Sequence, residues 1–283
     1  VKRLIVTGDD FGLAEPVNEA IAEAHRHGIL TCASLMVGAP AAADAVDRAR
    51  ALPSLRVGLH VVTASGRSLQ PPDEIPDLVD PDGELSPRIV RTSFRLLLRR
   101  TVRRQLAAEI RSQFEAFAAT GLALDHVNVH RHLHLHPLIL TLILETGRDF
   151  GLRAVRLPQE PPLRSARAAA AGALPRLAGW LFLQPWVRWM KARLRRRGIR
   201  CNDALFGLAD SGRMTEERVL AILRNLPDGV TELYFHPATR CCPEVDRAMP
   251  GYRSEEEFRA LTSGAVAAAA SGAERIAFAD LTA

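Results

Sequence analysis

The sequence predicts an α/β fold in which parallel strands are joined by helical crossovers. Two observations predict it. Short apolar runs alternate along the chain with stretches whose apolar residues recur at helical spacing. Side chains suited to chemistry also fall repeatedly just after those runs, where α/β sheets and barrels collect their catalytic groups. With 283 residues, 47% of them hydrophobic, the chain can fill one large core or two small ones, and wholesale disorder is excluded. We read residues 1–283 as one domain, with loop or helical insertions at about 63–104 and 160–215.

The elements follow in order. Residues 2–7 form an apolar run ending at Gly8-Asp9-Asp10, which predicts a buried strand and then a loop. Val17, Ala20, Ile21 and Ala24 repeat at helical spacing, and Gly28 closes that helix. A strand over 31–37, a helix over 41–51 and a strand over 55–60 come next, the last ending on His60. Residues 63–87 are rich in Pro, Asp and Gly and read as a loop excursion. Leu106, Ile110, Phe114 and Phe117 share one face of a helix over 103–119. A strand over 122–129 and a helix over 138–145 follow, with further strands expected at 152–157 and 231–235. The Ala-rich stretch 166–174 has little packing content; residues 255–270 read as one helix and 276–279 as a last short strand.

The charge is uneven. The net charge of +5 and pI of about 9.5 arise from two stretches, 88–111 and 176–200, which hold 16 of the 37 basic residues and one acid, Glu109. The remainder carries a formal −10. Such patches suit anionic membrane surfaces or nucleic acid, but no nucleic-acid recognition pattern accompanies them, so no nucleic-acid partner is expected. The opening turns acidic too early for a secretory signal, and no run of roughly 18 uncharged apolar residues exists. A cytoplasmic protein is expected, and Cys32, Cys201, Cys241 and Cys242 lack the spacing of a structural zinc site.

Three signals carry chemistry. Thr7-Gly8-Asp9-Asp10-Phe11-Gly12 sets two carboxylates side by side at a strand end, where neighbouring side chains point in different directions. One is then free to bind a metal while the other faces a substrate, although acidic pairs also occur in ordinary surface turns. Gly58-Leu59-His60 ends a strand on an imidazole, which suits a ligand or a simple hydrogen bond to a carbonyl. From Asp125 to His136, five of the nine histidines stand at every second position except Asn128. A continued strand would crowd them together, so we expect the strand to end near His130. A surface histidine tract is the alternative, but the run before His130 is too apolar for a loose tail. An Asp with two His suits a divalent metal, which acidifies water and polarises a carbonyl in amide hydrolysis. A nearby carboxylate serves as base, and His236, after Leu233-Tyr234-Phe235 and before Pro237, is a candidate acid or a packing residue.

These pieces, in this order, resemble the YdjC/ChbG-like carbohydrate deacetylases. They are TGDDFG followed by LAEPVNEAI, the GLH ending at His60, HVNVHRHLHLHP, the RLP at Arg156 and the YFHP at His236. They resemble most the branch associated with hopanoid biosynthesis, called HpnK. The resemblance implies a distorted (β/α) barrel related to polysaccharide deacetylases. It also implies a divalent metal, Zn or Mg first with Ni, Co, Mn or Fe as further candidates, held by Asp10, His60 and His130. Asp9 would be the general base and His236 the acid. Relatives carry His-x-Asp-x-His-x-His where this chain has Asn128, and Asn can still orient a histidine by hydrogen bonding. His132 is then a substrate-facing, supporting or alternative ligand, and Arg156 contacts substrate or braces the loops. The branch implies an N-acetylglucosaminyl hopanoid as substrate; a soluble sugar such as diacetylchitobiose is the alternative.

Trp180, Trp186 and Trp189 all lie within 176–200, among arginines and large apolar residues. Aromatic and leucine side chains beside a basic run suit a peripheral helix on an anionic membrane at the inner face, and Trp186 is a candidate substrate contact. The alternative is a core-facing helix with a basic solvent face. The arginines around Leu96, Leu97 and Leu98 belong to the same surface or to a homodimer contact. Two competing functions remain: hydrolysis of an ester or phosphoester, and non-catalytic binding of anionic lipid.

Overall fold

The computed structural model describes residues 1–168 and 173–281. β1 (Lys2–Phe11), β2 (Cys32–Leu35), β3 (Arg56–Val61) and β4 (Leu124–Val129) alternate with α1 (Glu15–His27), α2 (Ala42–Arg50), α3 (Ile89–Leu98) and α4 (Arg100–Ala119). α5 (Pro137–Asp149), α6 (Pro162–Ala168) and α7 (Ala173–Arg196) precede β5 (Ala204–Phe206) and α8 (Glu216–Leu223). β6 (Gly229–Phe235), α9 (Pro243–Ala248), α10 (Ser254–Thr262), α11 (Gly264–Ala270) and β7 (Glu274–Arg275) complete the chain.

The helices form where the sequence supplies both a start signal and an apolar stripe. α1 opens with Glu15 and Pro16, ends with His25, Arg26 and His27, and buries Val17, Ala20, Ile21 and Ala24. α4 buries Leu106, Ile110, Phe114 and Phe117 along one side.

All strand pairs are parallel, and the sheet order is β4-β3-β2-β1-β6-β5, with β7 beside the start of β1. The sheet curls on itself. Single-residue bridges from Val127 to Val155 and from Ala154 to Arg200 carry the β4 edge toward the β5 side. This is a half-open, distorted barrel, as expected. The main core lies between the sheet and its helices, where Leu4, Val6, Leu59, Val127, Leu233 and Phe235 point outward. Inside the curl, Ile5, Cys32 and Val230 pack against Ile276 and Phe278, so the C-terminal segment plugs one end.

Four expectations need correction. Gly8-Asp9-Asp10-Phe11 is not a loop: β1 runs through it, with a register shift against β2 between Gly8 and Phe11. Residues 152–157 make isolated bridges rather than a strand, because the Asn202 side chain substitutes for a neighbour. Its Oδ1 accepts from Leu157 N at 2.7 Å and its Nδ2 donates to Leu157 O at 2.8 Å. The C-terminal helix is two helices, broken at extended Ser263, whose Oγ accepts from Val266 N and caps α11. The last strand pairs only at Glu274–Arg275, and Phe278–Asp280 is a 3-10 turn. Of the Ala-rich stretch, residues 169–172 lie outside those described. Among the described residues, no helix is long and apolar enough to cross a membrane.

Candidate metal centre and active site

Period-two alternation along the strands puts polar side chains on the inside of the curl. Thr7 and Asp9, Ser34, His60, His126 and Asn128, and Glu232 and Tyr234 are all buried. Asp10 leaves this alternation because its φ is +59, a left-handed conformation at the bulge. Buried polar groups at this density require mutual hydrogen bonds, and most are satisfied.

Asp10 is not, and neither is the second oxygen of Glu232. His60 Nε2 and His130 Nδ1 lie 3.2 and 3.3 Å from Asp10 Oδ1, and the two nitrogens are 3.4 Å apart. Yet both Asp10 oxygens are buried without a well-aligned hydrogen-bond partner. Three converging ligand atoms within 4.8 Å of one another, one a bare carboxylate, fit a small divalent cation. Burial works to raise the Asp10 pKa, but His130 and His60 outweigh it and hold the carboxyl well below the usual range. His60 Nδ1 lies 2.7 Å from Asn128 Oδ1. An amide oxygen only accepts, so His60 carries a proton on Nδ1, and Nε2 is the nitrogen left to face the cluster. The side-chain oxygen of Asn128 is the atom that faces His60.

Asp9 faces other partners. Arg156 Nη1 and Nη2 donate to its two oxygens at 2.5 and 2.9 Å, and Asn128 Nδ2 donates at 3.0 Å. Burial opposes ionisation, but Arg156, with His60 and His236, holds the Asp9 carboxyl far below its usual range. Arg156 is wholly buried. It also binds Glu232 Oε1 through Nε and Nη2 at 2.9 and 2.7 Å and lies 4.8 Å over the Tyr234 ring. It therefore braces Asp9 from beneath rather than lining an open surface.

The other predicted residues divide. His236 is buried beside Tyr234 and Tyr252, its Nδ1 has no partner, and its backbone N donates to Glu257 at 2.6 Å. Burial lowers its pKa, with Asp10 and Asp9 opposing. β4 ends at Val129, and Arg131 and His132 take left-handed φ values of 57 and 55, turning the histidine run off the sheet. His132 Nε2 meets Tyr234 Oη at 3.1 Å, outside the Asp10 cluster. His134 is buried against Arg156 O at 3.0 Å, and burial pushes its pKa down to about 3. Trp186 is not at the cluster: it stands 42% exposed on α7, stacked on Phe182.

A cavity of about 550 Å3 opens beside Asp10 and His130, lined also by Gln113, Arg67, Glu84 and Arg247. A second group, Cys32, Asp125 and His126, also holds three ligand atoms within 4.8 Å, on the inner wall behind Ser34. The four cysteines are free. Sequence reasoning missed Ser34, Glu232 and Tyr234. Glu232 and Tyr234 share the strand parity of His236, which was the available signal, whereas Ser34 lies on β2, where no recognised residue marks the inner face.

The YdjC-like protein model matches residues 3–271 of this chain. A carbohydrate deacetylase of Geobacillus stearothermophilus is 29% identical over 259 residues, covering 91% of this chain and 88% of that protein. One of Brevibacillus brevis is 37% identical over 156 residues, covering 55% of this chain and 59% of that protein. The match to the Brevibacillus protein therefore spans less than two thirds of its length. A crystal structure from Enterococcus faecalis V583, provisionally described as a cellobiose-phosphate cleavage protein, superposes with a TM-score of 0.76 at 22% identity. It covers 100% of this chain and 99% of that one, and shares the fold.

Proposed function

The chain belongs to the YdjC-like proteins, and from that premise we propose that it is a metal-dependent carbohydrate deacetylase, releasing acetate from an N-acetylated sugar. The observation that carries this is the split between two adjacent carboxylates: Asp10 lies bare between two imidazoles, and Asp9 is held by Arg156. Asp10, His60 and His130 would hold the ion, Zn or Mg first among the candidates. A divalent cation there supplies carbonyl polarisation and a water of lowered pKa.

Asp9 is the general base. Arg156 and Asn128 fix its direction and keep it ionised. Because Arg156 also serves Glu232, its charge is divided between two acids. His236 is the acid that protonates the departing amine. Burial favours its neutral form at rest, so before the amine departs it takes up the proton that Asp9 removed from the attacking water, which returns Asp9 to its ionised form.

The cavity beside Asp10 mixes apolar residues with Arg67, Glu84, Gln113 and Arg247, which suits a hydroxyl-rich soluble saccharide such as diacetylchitobiose. One observation favours a second reading, the N-acetylglucosaminyl hopanoid of the related branch. α7 buries Val187, Met190 and Leu194 on one side. It exposes a second apolar stripe of Leu181, Phe182, Trp186 and Trp189 on the other, among Arg188, Lys191 and Arg195. That face suits peripheral contact with an anionic lipid surface.

The deciding experiment is mass-spectrometric detection of acetyl loss from diacetylchitobiose and from an N-acetylglucosaminyl hopanoid, with defined divalent metals. Turnover of chitobiose supports the soluble substrate. Turnover of the hopanoid alone supports the lipid reading, and turnover of neither overturns the deacetylase.

A further inference from the structure

A chain of buried hydrogen bonds leads away from the metal centre along the inner wall. Asn128 Nδ2 donates to Ser34 Oγ at 2.8 Å as well as to Asp9. Ser34 Oγ lies 3.1 Å from His126 Nε2, and His126 Nδ1 lies 2.8 Å from Asp125 Oδ2. Asp125 Oδ1 accepts from Ala279 N at 2.9 Å, and the His126 ring stacks on Phe278 at 4.4 Å. Ser34, His126 and Asn128 are fully buried.

With His126 as the neutral imidazole, the donors and acceptors allow one polarity. The Asp9 carboxylate only accepts, so the Asn128 NH2 faces it, and the same NH2 supplies Ser34. Ser34 has one O–H, and with its oxygen accepting from Asn128 that hydrogen goes to His126 Nε2. His126 then carries its own proton on Nδ1 and gives it to Asp125. Each link runs outward from Asn128 and ends on a carboxylate anchored by the C-terminal plug. If the amide were flipped, its oxygen would meet the Asp9 carboxylate, and its NH2 would make His60 Nδ1 an acceptor and drive the ring proton to Nε2, toward the metal site. The resemblance of Ser34, His126 and Asp125 to a nucleophilic triad does not make them one: Ser34 is sealed from solvent and its oxygen is engaged by Asn128. Nor does the Cys32–Asp125–His126 group offer free donors, since His126 Nδ1 and both Asp125 oxygens are already occupied.

We propose that Ser34 and His126 are positioning residues that lock the Asn128 amide, and through it the His60 tautomer that presents Nε2 to the metal. The proposal rests on the metal reading of Asp10, His60 and His130. It assigns a function to the polar inner wall, where Gly58 is the residue that lets His126 approach. A Cβ at Gly58 would stand 2.5 Å from His126 O and 2.6 Å from its ring.

The test is titration of the chelator-treated full chain with Co2+, following the visible d–d spectrum and calorimetric affinity. S34A is expected to weaken Co2+ binding about tenfold, the lower end for lost support of a ligating histidine, and to change the spectrum. S34T, which keeps the hydroxyl, is expected to restore both. In the N128A background, S34A should have no further effect, because its action passes through the amide. H126F, which keeps the stack on Phe278 but removes the acceptor, carries the same expectation should S34A fold poorly. Unchanged affinity and spectrum in S34A and H126F would overturn the relay, as would an equal loss with and without Asn128. Absence of Co2+ binding by the unaltered chain would instead overturn the metal reading on which it stands.

Discussion

Asp9 and Asp10 are consecutive in the chain and both are buried, yet they share no hydrogen-bond or ion-pair partner: Asp9 lies on Arg156 and Asp10 lies between His60 and His130. The left-handed backbone at Asp10 produces the separation. Replacing each should therefore give different losses. D9N is expected to abolish acetate release while metal content by elemental analysis stays near that of the unaltered protein. D10N, H60A and H130A are expected to lose metal and activity together. Equal metal loss in D9N would contradict this division.

Arg156 pairs with two buried carboxylates, Asp9 and Glu232. R156M should leave both uncompensated, and removing one partner of a buried ion pair costs about 3–5 kcal/mol. R156K should recover only part of this, since an ammonium lacks the planar fork that serves two acids at once. Urea unfolding of the three proteins checks the order. A stability of R156M within about 1 kcal/mol of the unaltered chain would contradict the bracing role.

The glycine of the Gly58-Leu59-His60 motif has a steric cause. Because an added Cβ meets both the backbone oxygen and the ring of His126, G58A should destabilise by about 1–3 kcal/mol through overpacking. The urea midpoint should fall with the slope unchanged. A midpoint equal to that of the unaltered protein would show that β4 yields freely at this point.

Glu257 is fully buried and accepts from Met214 N and His236 N at 3.0 and 2.6 Å. Burial pushes its pKa up to about 7 from an ordinary 4.5. The folded state then holds a proton that the unfolded state has released, so this group's contribution is complete below pH 4.5 and is lost as pH rises through about 7. E257Q lacks that loss. Its melting temperature relative to the unaltered protein should rise between roughly pH 5 and 8, measured by calorimetry in matched buffers. A difference independent of pH would contradict the raised pKa.

The exposed stripe on α7 makes the lipid reading measurable without an assay of turnover. Cosedimentation with vesicles containing anionic lipid should exceed that with neutral vesicles and fall as salt is raised. The double variant W186S/W189S should reduce it several-fold. Equal recovery from both vesicle types would leave the soluble-saccharide reading alone.

Much of this was legible in the sequence. Strand and helix alternation predicted the parallel sheet, because apolar period and turn residues act locally. Asp9, Asp10, His60, His130 and His236 stood out because each follows an apolar run at a strand end. What the sequence could not supply was direction across the barrel. Arg156 and Glu232, 76 residues apart, meet only because the sheet curls. Ser34 links His126 to Asn128 because β2, β3 and β4 turn the same parity inward. The left-handed turn at Asp10, which sends two neighbouring carboxylates to different partners, depends on a register shift between strands. Residue type and spacing are properties of the chain; which hydrogen bond each buried polar group must make is set only when strands distant in sequence close water out from between them.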